Sequence, residues 1–256
     1  GLNNLKDISI DDRFASLPGI TQAELEANFA EYINRFAQRK GVTQQDLLHD
    51  IKVWYNGFRF SKEGEAVYNP FSLLLLLDMQ DFRNYWFESG TPTFLIKLIK
   101  ERNFDLRQLN QLQVSELAFS SYEIDQLQLL PLLFQTGYLT IKGYDPARRL
   151  YDLYYPNYEV EDAFSTWLLG AFSYADHTLH ESHLWRLIDA LRANDLATFF
   201  KVLQIFFAQI PYNIQIKDEH YYQSIFYLIF TLLGLRLEAE KYTNRGRIDT
   251  VIELPG

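Results

Sequence analysis

Asp249 is the residue whose type and place most invite chemistry. It sits in the stretch Arg247 to Leu254, where Asp249, Val251 and Glu253 alternate with Ile248, Thr250, Ile252 and Leu254. Aspartate is depleted in strands, and a carboxylate held in a sheet core is costly unless something positive meets it. A divalent cation with oxygen ligands would do so. A strand-end acid paired with Arg245 or Arg247 is the alternative. A second acid, Glu219, stands at the start of an apolar helix, where it is either a catalytic acid of the same site or a first-turn acid favoured by the helix dipole. His177, His180 and His183 recur every third residue, a spacing that suits a metal on one helix face and equally suits surface or capping histidines.

Definite elements must position these acids. Of the residues Tyr221 to Leu235, eleven are apolar or aromatic, so that helix should be buried nearly all round. Gly234 is its stop signal. Leu235 to Tyr242 then alternates as a strand, with Leu235, Leu237 and Ala239 on one face and Arg236, Glu238 and Glu240 on the other. The polar turn Thr243 to Gly246 leads into the strand carrying Asp249.

Upstream, Thr21 and Glu24 form a capping box. Leu25, Phe29, Tyr32, Ile33 and Phe36 continue the helical period behind it. A second helix is expected from Thr43 to Trp54. Asn56–Gly57 reads as a tight turn. Asn69–Pro70 and Thr91–Pro92 each read as a cap followed by proline at the first helical turn.

Residues 123–175 read as a winged helix: a helix from Glu123 to Gln135, a hairpin from Tyr138 to Tyr155 turning at Asp145 to Arg148, and a closing helix from Glu159 to Phe172. The first helix carries Glu123 and Asp125, and only Lys142, Arg148 and Arg149 decorate the wing. A packing role is therefore expected over DNA binding. Residues 181–210 read as a helix pair turning at Ala193–Asn194–Asp195.

Composition narrows the class. The chain has 256 residues, 48% of them hydrophobic, 22% charged and 16% aromatic, ordinary for a globular chain with large cores. With no cysteine and one methionine, disulfides and cysteine-based metal sites are excluded, and a cytoplasmic setting fits. The first residues are neither basic nor apolar, so no signal peptide is expected. The longest aliphatic run, Leu73 to Leu77, is too short to span a bilayer, so no membrane partner is expected. A net charge of −9 argues against tight non-specific nucleic-acid binding by the chain as a whole.

The pattern around Glu219, Tyr221–Tyr222, Leu232 to Gly234 and Gly246 to Asp249 resembles the PD-(D/E)XK nuclease superfamily. Within it, the match is to the nuclease domain fused behind an AAA-like ATPase domain in bacterial proteins. The stretches Gly1–Leu5, Tyr55–Phe58, Tyr68–Ser72, Tyr85–Trp86, Gly90–Leu95 and Leu133–Leu139 resemble the C-terminal half of that ATPase-like domain. The resemblance implies a mainly α (α+β) fold. It divides the chain into a helical ATPase lid (1–120), a winged-helix element (121–175), a helical linker pair (176–214) and the start of a truncated nuclease core (215–256). It makes Asp249 the metal-binding acid and Glu219 the first acid. It expects a Glu-x-Lys strand next, which Glu253–Leu254–Pro255 does not supply.

No Gly-x4-Gly-Lys-Ser/Thr loop occurs, so the backbone cradle and lysine that hold nucleotide phosphates are absent from this sequence. The chain is thus expected to be an inactive piece of an ATPase–nuclease fusion. Mg2+, ATP and nucleic acid would be partners of the parent protein, and none would be bound by this chain. Arg13, Arg59 and Arg83 become candidate phosphate sensors of the parent, or plain surface arginines. Homo-oligomerisation is left open. The competing expectation is a non-catalytic helical and winged-helix adaptor that binds protein or DNA. The missing phosphate loop predicts no measurable ATP binding in a calorimetric titration of this chain; a micromolar Kd would overturn that.

Overall fold

The Thr21 hydroxyl accepts the Glu24 amide at 3.2 Å, and a Glu24 carboxylate oxygen accepts the Thr21 amide at 2.9 Å, as expected of a capping box. This reciprocal pair starts helix α1 (Gln22–Asn28) in a computed structural model that describes residues 8, 10–89, 93–102, 104–119, 129–173, 177–208, 219–243 and 246–253. The single helix expected through Phe36 is broken at Phe29, whose φ of −119° and ψ of 17° leave the helical region. Helix α2 (Ala30–Lys40) continues beyond it. Backbone bonds from Phe29 to Leu25 and from Ile33 to Phe29 bridge the break, so the apolar stripe keeps its face. Gly41, at φ 70°, closes α2 on the carbonyls of Ala37 and Gln38. Thr43 caps helix α3 (Gln44–Tyr55).

Asn56 and Gly57 do not reverse the chain. They lie in strand β1 (Asn56–Phe58), which pairs antiparallel with strand β2 (Val67–Tyr68). This corrects the tight-turn reading. Gly57 does have a positive φ, 127°, but spends it on a close backbone approach described below. Asn69 accepts the amides of Phe71 and Ser72 and starts helix α4 (Pro70–Met79) with proline in its first turn, as expected. Leu25, Phe36, Leu47, Ile51, Tyr55, Tyr68, Leu73 and Leu76, all buried, make the core around these four helices.

Helix α5 (Thr93–Glu101) and strand β3 (Leu112–Ser115) follow. The helix expected from Glu123 is described only as α6 (Leu129–Gln135); residues 120–128, like the expected cap at Thr91–Pro92, lie outside the described residues. The hairpin is found as strands β4 (Thr140–Asp145) and β5 (Leu150–Tyr154). It is not two-stranded: β3 pairs with β5, giving an antiparallel sheet in the order β3-β5-β4. That third strand and the β1–β2 pair are additions to the two strand pairs expected from the sequence. Helix α7 (Tyr158–Ser173) begins where Asn157 accepts the Val160 amide at 3.1 Å.

Helices α8 (His177–Arg192) and α9 (Leu196–Ala208) are the expected pair. Asn194 turns between them at φ 54°, and Asp195 caps α9 through the Thr198 amide at 3.0 Å. Helix α10 (Glu219–Leu232) follows, with Phe230 lying 5.9 Å from Phe199 of α9. Gly234, at φ 71°, ends it, and strands β6 (Arg236–Thr243) and β7 (Gly246–Glu253) form an antiparallel hairpin. The chain divides into two units, 1–95 with 109–163 and 96–108 with 164–256. The architecture is mostly helical with small antiparallel sheets, an α+β chain. Among the described residues, no helix is long and apolar enough to cross a membrane.

Thr21→Ala should cost about 1 kcal/mol in a urea melt. Glu24 contributes a pH dependence, because its bonds from the Thr21 amide and hydroxyl hold its carboxyl below the usual range. Its folded pKa lies below its unfolded one. Its contribution is therefore complete above the ordinary glutamate value and is lost as pH falls through the lowered folded value. Glu24→Gln should flatten the stability profile in that acid window.

Candidate functional site

Helix α10 has Glu219 as its first residue, and Asp249 lies in the middle of β7. The register pairs Arg236 with Glu253, Ala239 with Thr250 and Lys241 with Ile248. Asp249 therefore falls across the ladder from Glu240. Like charges directly opposite one another in a sheet repel unless a cation or proton intervenes. Alternation had already put Glu240 on the polar face of β6; the pairing that sets it against Asp249 is what sequence reasoning missed. The side chains of Glu219, Glu240 and Asp249 lie outside the described part of the structure, so the backbone alone places them. Among the described residues, no group of three or more histidines, cysteines or acids is placed to hold a metal ion.

The other candidates are engaged locally. His183 of α8 sets its ring 5.3 Å from that of Phe206, and burial, then Arg186, push its pKa down. The side chains of His177 and His180 lie outside the described part. Arg13 clasps Asp11 through two nitrogens, at 2.9 and 2.7 Å, and this pairing raises its pKa. Arg59 donates to the carbonyls of Gly64 at 2.7 Å and Lys62 at 2.6 Å. Arg83 bonds Asp81 at 2.7 Å while remaining 66% exposed. Its backbone is also held: the Tyr55 hydroxyl donates to the Arg83 carbonyl at 2.8 Å and accepts the Arg83 amide at 3.0 Å. Burial pushes the Tyr55 hydroxyl far up from its ordinary pKa, so it stays a neutral donor and acceptor there.

Several stretches singled out in the sequence converge in the first unit. Tyr55 stacks on Tyr85 with ring centroids 6.4 Å apart. Phe58 and Tyr138 lie 6.4 and 4.8 Å from Trp86. A Cβ on Gly137, at φ 81°, would come within 3.2 Å of the Trp86 ring. Asn56 pairs with Tyr68, whose hydroxyl donates to Gln22. These stretches, each a weak signal alone, form one packed nexus.

The start of α7 completes the nexus and was missed. The Trp86 amide donates to the Glu159 carboxylate at 2.8 Å, and Glu159 is fully buried. Asn84 donates to Asp162 at 2.7 Å. The Pro156 carbonyl lies so close to Gly57 that a Cβ there would be 1.9 Å from its oxygen. The same carbonyl accepts the Lys142 ammonium at 2.7 Å. Lys142 is exposed as a residue, but its ammonium lies against Pro156 and Gly57, and desolvation there pushes its pKa down against the pull of Glu161. Pro156–Asn157 two residues before a glutamate was a readable cap signal; that the glutamate would reach Trp86 was not.

No family model matches this chain, and no solved structure matches it. It is similar to the "Uncharacterized protein in vnfD 5'region" of Azotobacter chroococcum mcd 1, at 38% identity over 263 residues, 100% of this chain and 48% of that protein. The chain thus spans about half the length of the curated relative it matches.

Gly57→Ala should destabilise the chain by about 3 kcal/mol or more, because it combines a left-handed backbone with a clash against a carbonyl that cannot swing away. Chemical denaturation of both forms measures it.

Proposed function

We propose that this chain is the helical lid, winged-helix element and first nuclease strands of a protein that couples ATP binding or hydrolysis to metal-dependent phosphodiester cleavage. The observation that carries the reading is the run α10–Gly234–β6–β7: an acid at the helix start, an antiparallel hairpin, and Asp249 in the middle of its second strand. The antiparallel order β3-β5-β4, with α6 preceding and α7 following the β4–β5 hairpin along the chain, supports the winged-helix part. The relative's greater length leaves room for a phosphate loop and a Glu-x-Lys strand, which the reading requires.

Carboxylate oxygens at Asp249 and across the ladder at Glu240 suit a hard cation such as Mg2+. Such an ion, when bound, supplies Lewis-acid stabilisation of the phosphoryl oxygens. This chain's own part is to set those acids on paired strands of one hairpin. For ATP, Arg83 is the sensor candidate that joins an exposed side chain to a backbone tied at both amide and carbonyl, here by the Tyr55 hydroxyl. The Thr140 hydroxyl holds the Arg59 backbone in the same way, but the Arg59 guanidinium is taken up by the Gly64 and Lys62 carbonyls. The competing adaptor reading draws on the nexus: there the recurring stretches do packing work and leave no obvious reactive group.

The test uses the whole protein, through the strand after β7, on plasmid and single-stranded substrates with magnesium and then manganese. Asp249→Ala should reduce cleavage to background while the melting temperature stays unchanged. Glu219→Gln should weaken cleavage by about tenfold, as expected of a group at the edge of a metal site. Full activity in Asp249→Ala would end the nuclease reading and leave the adaptor.

A further inference from the structure

Helix α4 is apolar on every side: Phe71, Leu73 to Leu77 and Met79 leave only Ser72 and Asp78 as polar interruptions after Pro70. A helix of that kind is normally covered all round. Here only one side is. Ser72, Leu73, Leu76 and Leu77 are buried, while Phe71, Leu74 and Met79 are 46%, 49% and 54% exposed. Positions 71, 74, 75 and 78 follow the i, i+3, i+4, i+7 spacing, so they form a single stripe along the helix, in which Leu75 is half-buried, packing against the core while staying part-exposed. Asp78 ends the stripe, exposed and without an ion-pair partner among the described residues. The other end of the stripe is the helix N-terminus, at Asn69 and Pro70.

We propose that a second copy of this chain covers the stripe, with the two α4 helices antiparallel about a twofold axis passing between Leu74 and Leu75. This inference is independent of the nuclease reading. In that arrangement Leu74 meets the second copy's Leu75, and Phe71 meets the second copy's Asp78. Each Asp78 carboxylate then sits at the positive end of the facing helix, and the symmetry makes the contact twice. A parallel arrangement would set Asp78 against Asp78. The stripe is therefore complementary in charge to itself in one orientation only. It is also short: ten residues of helix span about 15 Å, and the covered area would be well below the ~800 Å² per partner of a standard interface. The pairing is expected to be weak, monomeric when dilute and dimeric when concentrated.

The chain contains no cysteine, so a single introduced one reports the geometry. Leu74→Cys, close to the axis, should form a disulfide-linked dimer under mild oxidation about tenfold faster than Met79→Cys, because the pairing raises the effective concentration of the thiol near the axis only. The two Met79 positions lie at opposite ends, although Met79 is the more exposed residue. Rates are normalised by the reaction of each thiol with a monofunctional maleimide. Adding Asp78→Lys to Leu74→Cys should remove the advantage. Without any cysteine, sedimentation of the unaltered chain should show concentration-dependent dimerisation that Asp78→Lys suppresses, which keeps the test open if a cysteine variant fails to fold. Equal rates for the two cysteine variants, an advantage that survives Asp78→Lys, or a chain that sediments as a monomer at every concentration would each overturn the proposal.

Discussion

The first unit depends on a carboxylate that has no exposure to solvent. Burying Glu159 is unfavourable unless hydrogen-bond donors and a favourable field replace water. The start of α7 supplies the field, and the segment after α4 supplies a donor. Glu159 lies in the first turn, at the positive end of the helix dipole, and takes the Trp86 amide at 2.8 Å. That bond fixes the segment after α4. With Trp86 held, its ring is set among Phe58, Phe87 and Tyr138. Removing the carboxylate would free an amide in a water-poor place and loosen the aromatic group built on it. Tyr55 repeats the logic a few residues away, with one hydroxyl serving both the amide and the carbonyl of Arg83.

Glycine lets these contacts close. Gly57 brings β1 against the Pro156 carbonyl, and Gly137 brings the turn after α6 against the Trp86 ring. Both have positive φ, and both have a neighbour where a Cβ would go. The nexus is therefore made of backbone as much as of side chains. This explains why short stretches carrying Asn-Gly or Thr-Gly stand out in the sequence while holding no obvious reactive group.

Local chemistry was legible. The Thr21–Glu24 box, the Asn69–Pro70 start, Gly234 as a stop and the two hairpins all follow from rules that span a few residues. What depended on distant partners was not legible. Gly57 signalled a special φ, but the sequence could not show whether that φ reversed the chain or admitted Pro156. Strand β3 has only Leu112–Ser115, too short to declare itself, and it exists because Leu150–Leu153 offers an edge. Phe29 kept the apolar period of a continuous helix, and the break there left that period intact. Around Asp249 the alternation of each strand was readable, whereas the register that sets it across from Glu240 was not.

The ties in the first unit join residues far apart in the chain, which constrains how it is made. Arg59 reaches Thr140 across 81 residues, Asn84 reaches Asp162 across 78 and Trp86 reaches Glu159 across 73. On a ribosome adding 5–20 residues per second, Trp86 is synthesised roughly 4–15 s before the carboxylate that will hold it. During that interval α1 to α4 have their local hydrogen bonds and part of their core. Trp86 and Phe87 meanwhile lack Tyr138, and Trp86 lacks Glu159. Closure of the nexus is thus a late, long-range step with the slow kinetics of high contact order. The nascent chain carries its aromatic cluster unprotected until α7 has emerged.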